Sequence, residues 1–235
     1  MRPDDKRVED RKTDAAMERS MRKRREGMKN RFTIRGISMA AGLALLLGMA
    51  APALAIYGGK GAEKEDVEGK PTQVRVHDRT LVDQDGRKVR FASDVIGDRF
   101  VVIDTFYTTC VQICPILSAI FMELQDRLGS RLGKEVVLVS FTVDPVTDIP
   151  PRLKEYARLW NARPGWVFLG GEKQSVDQVL TGLGLYSPDF VNHPSMFLVG
   201  DARSGTWTRF YGFASPEQIL GKIDELSAAR RSRAK

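Results

Sequence analysis

Two stretches of the chain leave little choice of architecture. Arg99 to Tyr107 reads RFVVIDTFY, and Glu135 to Val143 reads EVVLVSFTV. Both are rich in β-branched and aromatic residues, and neither alternates apolar with polar. A strand with one wet face shows that alternation; a continuous run belongs to a strand covered on both faces. Such a strand needs helices above and below its sheet. The segment between the two runs supplies one. PILSAIFMELQDRLGSRLG carries Ile116, Leu117, Ile120, Phe121, Leu124 and Leu128 at helical spacing, with Pro115 suited to the first turn.

The pattern continues. Pro150 and Pro151 precede RLKEYARLWNA, a second helix; GWVFLGG is a short strand and EKQSVDQVLTGLGL a third helix. SMFLVGD and TWTRFYGF read as an antiparallel pair across the turn Ala202–Gly205. SPEQILGKIDELSAARR reads as a last helix, with Ser215 as N-cap, Pro216 at its first position and Glu217 in its first turn. Upstream, QVRVHDRTLVDQDGRKVRFASDVIGD predicts a β-hairpin turning at Asp85-Gly86. Strands alternating with helices imply parallel β-α-β units, and the terminal β-β-α adds antiparallel strands. The expected fold is α/β, a thioredoxin-like central sheet with an N-terminal β-hairpin extension. It spans residues 72–228, and residues 229–235 read as a basic C-terminal tail.

Charge separates this body from what precedes it. The chain carries +7, but residues 1–35 hold 13 Lys/Arg against 7 Asp/Glu, and the other 200 residues hold 24 against 23. The basic character therefore belongs to a tail too polar to bury a core, which reads as disordered. A nearly neutral body lacks the folded basic surface that displaces counterions from nucleic acid. Ile37 to Ile56 then runs 20 residues without a charge, about 30 Å as a helix and enough to cross a hydrocarbon core. Residues 36–56 read either as a cleaved signal, ending at Ala53-Leu54-Ala55 with Met21 or Met28 as alternative starts, or as an anchor with its basic flank cytoplasmic. Both place the body in the periplasm or an equivalent extracytoplasmic space, where cysteines can be oxidised. Residues 57–71, YGGKGAEKEDVEGKP, read as a linker.

The chain has two cysteines, Cys110 and Cys114, in YTTCVQICP, where the central strand gives way to a helix. Strand ends of this kind are where open α/β sheets build sites. A helix N-terminus also favours the thiolate that disulfide exchange and metal binding both need. Three readings stand: a redox pair, half of a soft-metal site, or a structural disulfide. The last is disfavoured because so small a loop constrains the unfolded chain little. Of the two histidines, His77 lies in the polar hairpin and reads as a surface residue. His193, in DFVNHPSMFLV, directly precedes a predicted core strand. In a thioredoxin-like fold that segment runs beside the cysteine loop, so His193 would reach the two sulfurs. Soft thiolates select Cu(I) and imidazole also suits Cu(II). Zinc accepts the same ligands, but a three-ligand zinc site often implies hydrolysis, for which the sequence offers no other sign. The His193-Pro194 bond is a candidate for the cis form.

DTFYTTCVQICPILS, VSFTVDPVTDIPPRLKEYA and NHPSMFLVGD follow one another behind an apolar segment. In this combination the chain resembles, from about Thr72 to Leu226, the Sco/SenC family of copper-binding, thioredoxin-like proteins involved in cytochrome c oxidase assembly. The resemblance implies that Cys110, Cys114 and His193 bind copper. It further implies that Cys110 and Cys114 cycle between dithiol and disulfide. Asp144 and Asp148 match the family's acidic motif; capping around Pro145 and the following helix is their expected main role, with a share in shaping the site. The leading function is a copper chaperone serving an exported copper-site protein such as cytochrome c oxidase subunit II, at its dinuclear CuA centre. The alternative is a thiol-disulfide oxidoreductase acting on a partner's cysteines, and a third is a structural or redox-sensing protein. The body is expected to be monomeric, since no predicted element leaves an apolar face unexplained.

Overall fold

The structure is a computed structural model that describes residues 67–233. The basic stretch 1–35, the apolar run 36–56 and residues 57–66 of the expected linker lie outside the described residues. Among the described residues no helix is long and apolar enough to cross a membrane. The strands are β1 (Gly69–Thr72), β2 (Thr80–Asp83), β3 (Lys88–Arg90), β4 (Phe100–Phe106), β5 (Val136–Thr142), β6 (Trp166–Gly170), β7 (Met196–Asp201) and β8 (Thr206–Tyr211). The α-helices are α1 (Cys114–Leu128), α2 (Pro150–Leu159), α3 (Lys173–Leu183) and α4 (Pro216–Arg233). The strands form one sheet in the order β1-β8-β7-β4-β5-β6-β2-β3.

The continuous apolar runs behave as their composition demands. Every residue of β4 and β5 is buried, and the two pair in parallel from Phe100 opposite Val136 to Phe106 opposite Thr142. Because side chains alternate across a strand, β4 feeds two cores. Phe100, Val102 and Phe106 pack with Leu117 and Phe121 of α1, Leu153 of α2 and Ile219 of α4. Val101 and Ile103 pack on the other face with Val176 and Leu180 of α3 and with Phe91 and Ile96 of a wide helical turn. β6 continues the parallel set beside β5, while β7 and β8 run antiparallel on the other side of β4. The thioredoxin-like arrangement read from the sequence is the one observed.

The N-terminal extension differs from the single hairpin expected. β2 and β3 do turn at Asp85-Gly86, where Gly86 takes φ +77° and the Asp83 carboxylate accepts the N–H groups of Asp85 and Arg87, each at 2.9 Å. The hairpin joins the sheet through β2 on β6. Residues 73–79 are not strand. They cross the α3 face, with Val74 and Val76 against the core and the Arg75 N–H donating to the Gly182 carbonyl at 2.7 Å. β1 begins inside the stretch read as linker and pairs with β8 at the opposite edge. Composition hid it, because the strand is held by backbone hydrogen bonds that satisfy an open sheet edge rather than by apolar periodicity. Gly69 is required there: a Cβ on it would come within 2.7 Å of the Phe210 ring.

The last helix, read from the sequence through Arg231, runs on into the stretch set apart as a basic tail. α4 continues through Arg233 and opens on a reciprocal cap, in which the Gln218 N–H donates to Ser215 Oγ at 3.3 Å and the Ser215 N–H donates to Gln218 Oε1 at 2.9 Å. Arg230 pairs with Asp201 at 2.5 Å, donates to the Asp98 carbonyl at 2.6 Å and lies 4.0 Å over the Phe100 ring.

Candidate metal and redox centre

β4 and β5 finish side by side, and the loop from Tyr107 to Ile113 carries the chain from β4 into α1. Two tethers hold it. The Cys110 N–H donates to the Tyr107 carbonyl at 3.1 Å. At the start of the loop, the Thr108 N–H donates to both oxygens of the Asp148 carboxylate, at 3.0 and 3.2 Å, and the Thr108 hydroxyl bonds to it as well. Thr142, the last residue of β5, donates its hydroxyl to the same carboxylate at 2.5 Å. Asp148 thus ties the cysteine loop to the strand beside it. Burial pushes its carboxyl up, and the bonds from Thr108 and Thr142 hold part of that rise back. Its role is larger than the local cap expected of it. Asp144 keeps to the expected role, accepting the Thr147 N–H at 3.3 Å while its own N–H donates to Thr142 Oγ1 at 3.0 Å.

The two cysteines are together, both as free thiols, but the fold treats them differently. Cys110 is half-buried in the loop, and its Sγ accepts the Cys114 N–H at 3.3 Å. Burial alone would raise its pKa; the hydrogen bonds of the Cys114 thiol and of the Cys114, Gln112 and Ile113 N–H groups outweigh it and hold Cys110 below the ordinary thiol range. Cys114 is the first residue of α1 and fully buried. Burial, the hydrogen bond to Cys110 and the charges of Cys110 and Asp104 push its thiol well up. The sequence-based expectation of two low-pKa thiolates therefore holds for one. The free N–H groups at the helix start point back at the loop sulfur and not at the sulfur already inside the helix.

His193 comes from the segment between α3 and β7. Asp189 organises that segment, accepting the Val191 N–H at 3.1 Å and the Asn192 side-chain amide at 2.7 Å. The His193 ring is 7% exposed and packs edge-on to Tyr107, centroids 6.0 Å apart; Tyr107 packs in turn on Phe190 at 5.4 Å. Both ring nitrogens are buried without a hydrogen-bond partner. Burial lowers the imidazole pKa and the Asp189 charge restores part of it, so the ring is neutral at pH 7. Tyr107 connects the two halves of the site: burial, then the charge and hydrogen bond of Cys110, push its hydroxyl up to about 12. The His193-Pro194 bond is trans, as are all peptide bonds among the described residues.

Among the described residues, no three side chains of His, Cys, Asp or Glu converge on a point that one ion could share. The structure joins Cys110 to Cys114 and brings His193 against Tyr107; it does not close the three into one set. The donor types still suit a soft ion, because an activated thiolate and a buried neutral imidazole with no protein partner are ligands in waiting. His77 lies elsewhere, half-buried beside Gly182 of α3. Sequence reasoning missed Asp104. This carboxylate sits in the second half of β4, fully buried and opposite Ser140 of β5, with no hydrogen bond of regular geometry; burial pushes it up to about 7, and the Ser140 hydroxyl holds part of that rise back. Its signal was visible: one acid inside an otherwise apolar strand.

What this end of the sheet offers is sulfur chemistry, at a thiolate kept near the surface and a thiol kept beneath it. That places the chain among thioredoxin-like dithiol proteins. Residues 67–228 match the model of the SCO1/SenC family, and the chain belongs to that family. It is 33% identical over 106 residues to the SCO1 protein homolog of Bacillus subtilis, a match covering 45% of this chain and about half (53%) of that relative. Among solved structures it resembles BsSco, described as a member of the Sco family of cytochrome c oxidase assembly proteins with a disulfide switch. That likeness has a TM-score of 0.57 at 25% identity and covers 68% of this chain and 98% of that one. Copper-bound ScoI of Bradyrhizobium japonicum shares the fold, with a TM-score of 0.52 at 23% identity over 67% of this chain and 98% of that one.

Proposed function

We propose that this protein is an exported copper chaperone. In this reading Cys110, Cys114 and His193 hold the metal and deliver it to a copper-site protein such as cytochrome c oxidase subunit II. The observation that carries the reading is His193. A buried imidazole with two orphaned nitrogens, packed on the Tyr107 that starts the cysteine loop, is costly to keep unless a ligand satisfies it. Relatives solved with copper bound support it. The charge-free run 37–56 and its basic flank support placement of the body outside the cytoplasm.

Bound copper would supply a soft centre that moves between proteins by ligand exchange, with no net reaction required. The chain's own residues do the rest. Cys110 is the thiolate a recipient's sulfur reaches first, since it alone is both activated and accessible. Cys114 gives up its proton only when a cation or a disulfide rewards the loss. His193 enters as a neutral ligand with no proton to shed at pH 7. Asp148 fixes where the loop presents Cys110. The test is Cu(I) titration of the reduced full-length protein. About one ion per chain is expected, the number that three soft ligands hold, and the loss of either cysteine removes tight binding. Copper held equally well by a Cys110→Ser/Cys114→Ser variant would sink the reading.

The unequal cysteines favour one second reading, a thiol-disulfide oxidoreductase. The Cys110 thiolate attacks a partner disulfide, a mixed disulfide forms and one partner thiolate leaves. Cys114, once deprotonated, attacks the Cys110 sulfur and releases the second partner thiolate. The partner is reduced by two electrons and Cys110–Cys114 becomes the disulfide. Reduction of a protein disulfide at a rate that His193→Ala leaves unchanged would establish this reading.

A further inference from the structure

Large apolar side chains left in water are not spread over this molecule. Among the described residues eight are exposed, and six of them stand where β4, β5 and β8 end and β7 begins, five on the loops and one in the first turn of α1. Val111 follows Cys110, and Ile116 lies in the first turn of α1. Val146 and Ile149 belong to the loop after β5, Val191 lies two residues before His193, and Phe213 follows β8. The most open are Val146 at 72%, Val111 at 62% and Val191 at 58%. The expectation of a body with no unexplained apolar face does not hold at this end. Scattered exposed apolar residues are ordinary, but a group gathered around one site marks an interaction surface.

Charge narrows the occupant. Residues 107–116, 143–151, 186–196 and 211–216 contain no Lys or Arg. Their carboxylates are Asp144, Asp148 and Asp189, of which Asp148 is buried and occupied with Thr108 and Thr142. The face is therefore an apolar rim with two accessible negative charges. A partner complementary to it presents an apolar patch edged by Lys or Arg. The rim is also continuous with the centre. Cys110, the accessible sulfur, lies next to Val111, so a partner whose own ligand reaches Cys110 must cover these loops.

We infer that the rim of Val111, Ile116, Val146, Ile149, Val191 and Phe213 is the docking surface for the protein that receives metal from Cys110. This rests on the copper-chaperone reading of the same centre. The occupant is a folded recipient with a basic-edged apolar face over its own thiol ligands. Burying the rim during contact excludes water while ligands are exchanged.

The test measures docking apart from copper. Full-length protein in mild detergent, reduced and metal-free, is titrated with the metal-free soluble copper domain of cytochrome c oxidase subunit II. The wild type binds. A Val146→Asp/Val191→Asp variant changes two exposed side chains that take no part in ligation, and it weakens binding at least about tenfold, as expected when a central apolar contact is lost. Asp144→Asn with Asp189→Asn keeps turn acceptors while removing charge and weakens binding about threefold, in line with rim electrostatics. Lys134→Asp, at the opposite end of the sheet, leaves it unchanged. No binding by wild type, or equal binding by the Val146→Asp/Val191→Asp variant, overturns the inference. So does a concentration-dependent dimer that the same variant abolishes, because the rim would then serve a second copy of this chain. Failure of the chaperone reading is seen separately, in the copper titration.

Discussion

Where β4 and β5 begin, ionised groups are paired and arginines collect carbonyls; where the same strands finish, polar groups stand alone and apolar ones face water. At the first end Arg99 donates to the carbonyls of Asp94, Val95, Ile96 and Gly133. Arg131 bridges Glu135 and Asp224, and Arg230 holds Asp201. At the second end His193 has two unpartnered nitrogens, Asp104 is buried with only the Ser140 hydroxyl to offset its charge, and six large apolar side chains are exposed. Both ends are built on the same strands, so the strands do not cause the difference. Most buried polar groups of a folded chain are satisfied, and of the side chains left open among the described residues His193 and Asp104 stand at the cysteine end, Trp160 and Arg209 apart from it. In the copper-chaperone reading proposed above, the open groups beside the cysteines are the ones left for a ligand.

Asp148 is the exception that most tests this contrast, because it is a fully satisfied group at the working end. Asp148→Ala strips the acceptor from the Thr108 N–H and two hydroxyls, and a loss of about 3 kcal/mol is expected, near the top of the range for buried bonds to a charged group. Denaturant unfolding measures it. An unchanged midpoint would mean the cysteine loop needs no strut.

Next in size is the opposite end. Arg230→Ala removes the partner of a buried carboxylate and the cation over Phe100, with an expected cost of about 2 kcal/mol. The loss should fade in acid. Burial alone would raise the Asp201 pKa, but the Arg230 pair outweighs it and holds the carboxyl below its ordinary value. The stability this gives is present above the unfolded pKa near 3.8 and disappears as pH falls through the lower folded value. An Arg230→Ala penalty that persists undiminished at pH 2 would contradict the pairing.

Asp104 should give the reverse sign. Its folded pKa of about 7 lies above the unfolded 3.8, so the protonated form is favoured by folding. Stability tied to it is complete below the unfolded pKa and is lost as pH rises from about 4 through 7. Asp104→Asn removes that loss. The buried amide remains polar, which limits the gain to about 1–2 kcal/mol above pH 7 and to nothing near pH 4. A variant less stable than wild type at pH 8 would show that the carboxylate has a partner that pays for its charge.

The smallest effect on stability is the most local one. Iodoacetamide should modify Cys110 below the ordinary thiol pH range, while Cys114 stays unmodified until the protein unfolds. Mass spectrometry of the two peptides reads this directly. Equal labelling would erase the asymmetry between loop sulfur and helix sulfur.

The architecture was legible because RFVVIDTFY and EVVLVSFTV admit only strands covered on both faces, and helical spacing between them supplied the cover. β1 was not legible, since backbone pairing on an open edge leaves no apolar signature. The anchoring role of Arg230 was hidden in a similar way, because a basic stretch reads as solvated until Asp201 and the Phe100 ring are in view. At the centre, residue type and the strand-to-helix position singled out Cys110, Cys114 and His193. Spacing could not divide the roles of the cysteines, which depends on where the helix N–H groups point. The reach of Asp148 across 40 residues to Thr108 is a tertiary fact that a local motif does not carry.

The central claim is that the open groups of the working end are kept open for copper, and His193→Ala tests it most directly. The reduced full-length variant is compared with wild type for Cu(I) affinity and, in parallel, for formation of the Cys110–Cys114 disulfide. Affinity should fall at least about tenfold, as for the loss of one soft ligand of three, while the disulfide forms as before. Equal copper affinity in the two proteins would contradict the account.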